Sequence, residues 1–246
     1  MKKIISIFVL LFIIMTNIFA QHTYVLVAGV SNYGDEKTNL HQTTKDVKAI
    51  KEVFEKQANT TVAILTSKYA SANNIEEKLN AIVKLAKPAD KIIFCFSGHG
   101  TAGGFISYGP QLFSYKTLAQ ILSRGKAKNI ICFIDACMSG SVQSDAASNY
   151  GFSDEKAHPG LVFVVGSRAD EISWENNWVG HGFFTKALLK GLRGFSDKNR
   201  DKHVTLKELF DYVHNDVTAR TQKTKSPQHP QLIGPSASFN VVITSW

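Results

Sequence analysis

Short apolar runs alternate with longer amphipathic stretches along this chain. Six runs rich in β-branched and aromatic residues predict strands: Thr23–Val30, Thr61–Thr66, Lys91–Ser97, Asn129–Asp135, Leu161–Ser167 and Ser238–Thr244. Between them, apolar residues recur at helical spacing over Thr43–Ala58, Asn73–Ala86, Tyr115–Arg124, Phe183–Leu192 and Thr205–Thr221. Strands that alternate with helices predict an α/β fold with a largely parallel sheet. The runs Ile92–Phe96 and Ile130–Ile134 are apolar without a break, as strands covered by helices on both faces must be. Two polar stretches, Ser139–Pro159 and Asp170–Gly180, read as loops, the second carrying Trp174 and Trp178.

The first twenty residues differ in kind. Lys2 and Lys3 precede an apolar run from Ile4 to Met15, and a short segment follows that ends at Ala20. This pattern predicts a signal peptide over residues 1–20, cut after Ala20, and a single domain over 21–246. The apolar run is shorter than the ~20 residues a membrane span needs. No Cys lies near the cut to carry a lipid. The expectation is an exported protein, periplasmic or secreted, with no stable membrane anchor once the peptide is removed.

Loss of the two lysines lowers the formal charge from +8 to +6. The remaining lysines are scattered, with no Arg-rich stripe interleaved with aromatics. That distribution predicts a solvated surface and argues against a nucleic-acid groove. At 246 residues and 44% hydrophobic, the chain can bury a core of its own.

Ligands of open α/β sheets sit just beyond the carboxyl ends of the strands. Two apolar strands end there in reactive side chains. Lys91–Phe96 runs into Ser97-Gly98-His99-Gly100, and Asn129–Ile134 runs into Asp135-Ala136-Cys137-Met138-Ser139-Gly140. If these strands are parallel neighbours, an imidazole and a thiol emerge side by side. A base within reach of a thiol makes the thiolate available near neutral pH. Of the three cysteines, Cys95 and Cys132 lie inside apolar strands and read as buried packing residues. Cys137 lies past its strand among Asp, Ser and Gly. A second Gly-His-Gly, around His181, precedes a helix and reads as a helix start. There is no CxxC and no Cys-His cluster of zinc spacing.

Phe96-Ser97-Gly98-His99-Gly100 and Asp135-Ala136-Cys137-Met138-Ser139-Gly140 resemble the His and Cys motifs of the caspase/metacaspase superfamily (peptidase family C14, clan CD), in its bacterial metacaspase-like branch. The resemblance extends to Leu26–Tyr33, Leu40–Asp46 and Gly180–Gly191. It implies a caspase-like three-layer sandwich, a six-stranded, mostly parallel sheet between helices. It implies a cysteine endopeptidase with Cys137 as nucleophile and His99 as base, and no third triad member. The backbone N–H groups of Gly100 and Cys137 would form the oxyanion hole. Asp46, Ser97 and Asp135 would line the pocket for the residue before the scissile bond. Animal caspases have Gln where this chain has Asp135, and the carboxylate implies Arg or Lys as the residue bound. The family commonly cuts itself between the Cys strand and the next. Lys156 is the one Lys or Arg from Met138 to Ser167, which makes it the expected autocleavage point.

The expected partner is a peptide or protein substrate, and such chemistry requires no cofactor. One stretch raises the question of calcium. Asp197, Asn199, Asp201 and Glu208 fall at EF-hand spacing, but Lys202 stands where that loop wants Gly, and basic residues crowd it. Thr205 there reads as a helix N-cap. Two other functional readings are open at this level: a caspase-fold binding or scaffold module without catalysis, and a gingipain-like or legumain-like peptidase of the same clan. The chain carries no pattern that sets an oligomeric state.

Overall fold

The computed structural model describes residues 21–136, 158–168, 182–224 and 226–246. In chain order the main elements are β1 (Thr23–Gly29), α1 (Thr43–Glu55), β2 (Thr60–Thr66), α2 (Ala72–Leu85) and β3 (Lys91–Ser97). Three short strands follow, β4 (Gly100–Thr101), β5 (Gly104–Ser107) and β6 (Gln111–Ser114), and then α3 (Tyr115–Ser123) and β7 (Asn129–Asp135). The remainder is β8 (Leu161–Val165), α4 (Phe183–Lys190), β9 (His203–Thr205), α5 (Leu206–Thr221), β10 (Gln231–Ile233) and β11 (Val242–Ser245).

Six strands form one sheet in the order β10-β8-β7-β3-β1-β2. All its pairings are parallel except β10 with β8. Alternation along each strand divides the core. Ile92, Phe94, Phe96, Ile130, Cys132 and Ile134 pack with α2 and α3 on one face. Ile93, Cys95, Ile131 and Phe133 pack with α1, α4 and α5 on the other. A strand buried on both faces keeps no polar position until its end, which is why polar chemistry collects where β3 and β7 stop.

The predicted helices and five of the predicted strands stand where the pattern put them, with shifts at their ends. The sixth strand is corrected. Ser238–Thr244 is not in the main sheet: Ser236–Ser238 is a 3₁₀ turn, and β11 pairs antiparallel with β9 in a separate two-stranded ribbon. The sixth place belongs to β10, three residues between Pro230 and Gly234. A strand that short carries no readable periodicity, and at an edge it tolerates flanking proline. The sheet β4-β5-β6 also went unpredicted. It is held by Phe105, whose ring stacks on Phe96 at 3.9 Å and on Phe113 at 5.1 Å between centroids.

Lys91 opens β3 at the amino edge, far from the motifs. It is 5% exposed, and its ammonium donates to the carbonyl of Val242, tying β11 to the sheet. Burial pushes this ammonium down to about 8. Because the folded value lies below the unfolded one, unfolding takes up a proton between about pH 8 and 10.5, and stability rises with pH across that window. Lys91→Met removes the desolvation penalty and loses one hydrogen bond. It is expected to be the more stable protein at pH 7 by roughly 2 kcal/mol. That advantage should shrink towards pH 10 in urea titrations of both proteins; a less stable variant at pH 7 contradicts the account.

Candidate active site

The register of β3 and β7 sets the site. Ser97 lies directly opposite Asp135, and Gly29, at the end of β1, lies opposite Ser97 on the other side. The chain leaves β1 towards β2 and leaves β3 towards β7, so the two connections diverge. A crevice at the carboxyl edge opens at such a switch in direction. Ser97 and Asp135 continue the alternation of Cys95 and Phe133, so both belong to the face covered by α1 and α4.

Each helix brings one partner. The first turn of α1 presses on the end of β1 so closely that a Cβ on Gly29 would lie 2.6 Å from Val47 Cγ2 and 2.8 Å from Thr43 Cγ2. Only glycine permits that approach. It brings Asp46, 2% exposed, onto the strand, where its Oδ2 accepts the Ser97 hydroxyl at 3.0 Å. On the other side, α4 points its amino end at β7. Asp135 Oδ2 accepts the hydroxyl of Thr185 at 2.7 Å and the Thr185 backbone N–H at 3.2 Å. A carboxylate is favoured there by the helix dipole and by N–H groups that have no partner inside the helix. Thus Asp46, Ser97 and Asp135, distant in sequence, meet at one edge.

His99 follows two residues after Ser97 and is half-buried. Its backbone is held at both polar atoms. The N–H donates to Tyr33 Oη at 2.8 Å, and the carbonyl accepts from Ile106 N–H at 2.9 Å in β5. Its ring packs on the ring of Tyr33 at 4.6 Å between centroids. Nε2 lies 2.7 Å from the carbonyl oxygen of Thr38. A carbonyl only accepts, so Nε2 donates, and in a neutral ring Nδ1 is the nitrogen able to accept a proton. Thr38 thereby orients the imidazole through a backbone atom that no side-chain pattern could announce. Tyr33 Oη also donates to the Ile106 carbonyl at 3.3 Å, linking the loop after β1 to β5. Gly100 pairs with Phe105 between the bonded positions His99 and Ile106. It occupies a non-hydrogen-bonded place in the ladder, so its own N–H faces away from β5.

Among the described thiols, Cys95 and Cys132 are buried and pushed up by desolvation. Neither is a nucleophile, since a protonated thiol in an apolar strand is inert. Cys137 and Lys156 lie outside the described residues, as do His181 and residues 1–20. Cys137 follows Asp135 by two residues, just past the end of β7.

The acidic loop is turned inwards. Asp197 accepts from the backbone N–H of Arg200 and Lys202, Asn199 from that of Asp201, and Asp201 from that of His203. Lys202 takes φ of 67°, the left-handed region that glycine occupies at little cost. Glu208 closes a capping box with Thr205 at the start of α5. No group of three or more His, Cys, Asp or Glu among the described residues is placed to hold a metal ion. No described helix is long and apolar enough to cross a membrane.

Comparison with known proteins agrees with this architecture. No curated protein matches the chain. Its fold is similar to the crystal structure of a protein from Geobacter sulfurreducens, with a TM-score of 0.63 and 14% sequence identity, over 89% of this chain and 97% of that one. The caspase domain of peptidase family C14 matches residues 22–238, from the residue before β1 to the turn after β10, and this chain therefore belongs to the caspase-domain family.

Proposed function

We propose that this protein is a cysteine endopeptidase that cuts after Arg or Lys, with Cys137 as nucleophile and His99 as base. The observation that carries the reading is the meeting of Asp46, Ser97 and Asp135 at the carboxyl edge of β3 and β7, between the strand ends that lead into His99 and Cys137. Two carboxylates beside a nucleophile suit a guanidinium or ammonium group by charge and by hydrogen-bond geometry.

The chemistry is acyl transfer. His99 Nδ1 takes the proton of the Cys137 thiol, and the sulfur attacks the carbonyl carbon of the bond after the basic residue. Negative charge develops on the carbonyl oxygen, and the backbone N–H groups of Gly100 and Cys137 meet it. His99 then protonates the leaving amine. Water activated by the same imidazole hydrolyses the thioester and restores the dyad. The Thr38 carbonyl holds the ring in the required tautomer and stabilises the imidazolium formed along the way. Tyr33 packs on the ring and accepts the backbone N–H of the same residue. No step draws on calcium, and the Asp197–Glu208 loop serves as a cap for α5. The patterns of residues 1–20 support export.

Cys137→Ala and His99→Ala are each expected to abolish cleavage of peptides with Arg or Lys before the scissile bond. The native protein should take up one equivalent of iodoacetamide, at Cys137, since Cys95 and Cys132 are buried. Activity retained in Cys137→Ala would overturn the assignment.

Asp135→Asn is expected to leave the fold intact by circular dichroism and to lower kcat/KM on basic substrates about a hundredfold or more, as for breaking a desolvated charge pair. A parent protein that prefers Asp before the cut contradicts the pocket.

Tyr33→Phe keeps the ring contact and removes the acceptor for His99 N–H. It should lower kcat roughly tenfold with KM little changed, in steady-state kinetics on an Arg substrate.

Self-cleavage, where it occurs between β7 and β8, should follow Lys156, so that N-terminal sequencing of the smaller fragment starts at Ala157. Any other start in that segment counts against basic specificity.

A further inference from the structure

The hydroxyl of Thr185 has no ordinary structural task. Within a helix, a threonine hydroxyl commonly donates to the carbonyl four residues back, as Thr221 Oγ1 does to Val217 at 2.9 Å. Thr185 stands in the first turn of α4, where the residue four positions earlier precedes the helix. Its side chain does not cap its own helix either: the N-cap is Gly182, and no side-chain cap bond forms there. At 1% exposure it gives its hydroxyl to Asp135 across the face of the sheet. The same carboxylate oxygen takes the Thr185 backbone N–H.

The opposite side of that carboxylate is also shaped. Gly166, just past β8, lies beside it: a Cβ there would be tight against the Phe184 ring at 3.2 Å and in ordinary contact with Asp135 Oδ1 at 3.4 Å. Asp135 Oδ2 is thus fixed by α4. A carboxylate free to rotate about its Cβ–Cγ bond would offer a bound cation a range of geometries. Two donors on one oxygen select a single one and hold the other oxygen in a set direction. The matching pair across β3 has the same form: a buried hydroxyl, Ser97, donates to one oxygen of a buried carboxylate, Asp46. The edge therefore carries two carboxylate–hydroxyl pairs drawn from four different elements.

We propose that Thr185 is a specificity-determining positioning residue: by holding Asp135 Oδ2 it aims Asp135 at the basic side chain of the substrate. This rests on the basic-residue reading above. Thr185 does not touch the reacting atoms, so its effect falls on recognition and spares the Cys137–His99 chemistry.

The test uses the mature protein, fluorogenic peptides ending in Arg or Lys, and the variants Thr185→Val, Thr185→Ala and Thr185→Ser. Thr185→Val keeps the shape and removes the donor. It should raise KM for both peptides by roughly tenfold, as expected for loss of one hydrogen bond to a charged group. It should leave kcat, and the rate of Cys137 alkylation by iodoacetamide, within about twofold of the parent. Thr185→Ser, which restores the hydroxyl, should recover most of the KM. In an Asp135→Asn background, Thr185→Val should add little. Should the valine variant fail to fold, the alanine variant decides, with the same rise in KM expected. An unchanged KM in either folded variant, with the parent active on Arg and Lys, overturns this proposal and leaves the proposed function standing. Equal losses in kcat and in alkylation rate also overturn it, because they assign Thr185 to the dyad. A parent inactive on both peptides overturns the functional reading and this proposal together.

Discussion

The site depends on the parallel pairing of β3 with β7, which sets Ser97 opposite Asp135. Strand side chains alternate between faces, so a slip of one residue would turn Asp135 towards α2 and α3, among Phe96 and Ile134. A slip of two would keep the face but displace the carboxylate from Ser97 by roughly 7 Å. The register is protected because both faces of both strands are buried. Every slip would carry Ile, Phe and Cys side chains out of packed contact. The hydrophobic core thus serves as the ruler that places the polar edge.

That edge has to hold one buried carboxylate, Asp46, and one part-buried, Asp135, and such groups are costly unless each is given hydrogen bonds. The structure meets the cost with donors from two elements: a serine hydroxyl from β3 for Asp46, and a threonine hydroxyl with the N-terminal turn of α4 for Asp135. Close packing makes these contacts possible. Glycine at position 29 lets α1 approach β1, and glycine at position 166 lets Phe184 of α4 pack closely beside the end of β8.

His99 is held by a different device. The loop after β1 contributes the Tyr33 hydroxyl to its backbone and the Thr38 carbonyl to its ring, while β5 takes its carbonyl through Ile106. The three-stranded sheet that carries Ile106 is anchored in turn by Phe105, stacked on Phe96 of β3. Position and tautomer of one imidazole therefore depend on packing that reaches from the hairpin to the centre of the main sheet.

The parts whose signal is local could be read along the chain. Periodicity identified five of the six main-sheet strands and the helices, because amphipathic burial imposes a period on neighbouring residues. The His99 and Cys137 motifs were legible because each follows an apolar strand that breaks into glycine. The partnerships between distant residues emerge only on folding. Val242–Ser245 has the composition of a strand, but composition does not name its neighbour, and it pairs with β9 outside the main sheet. β10 is too short to show a period at all. Thr38 acts through a carbonyl that every residue possesses, and Thr185 through a hydroxyl fifty positions from its carboxylate. Such contacts join residues brought together by sheet order and helix packing, and a linear pattern records neither.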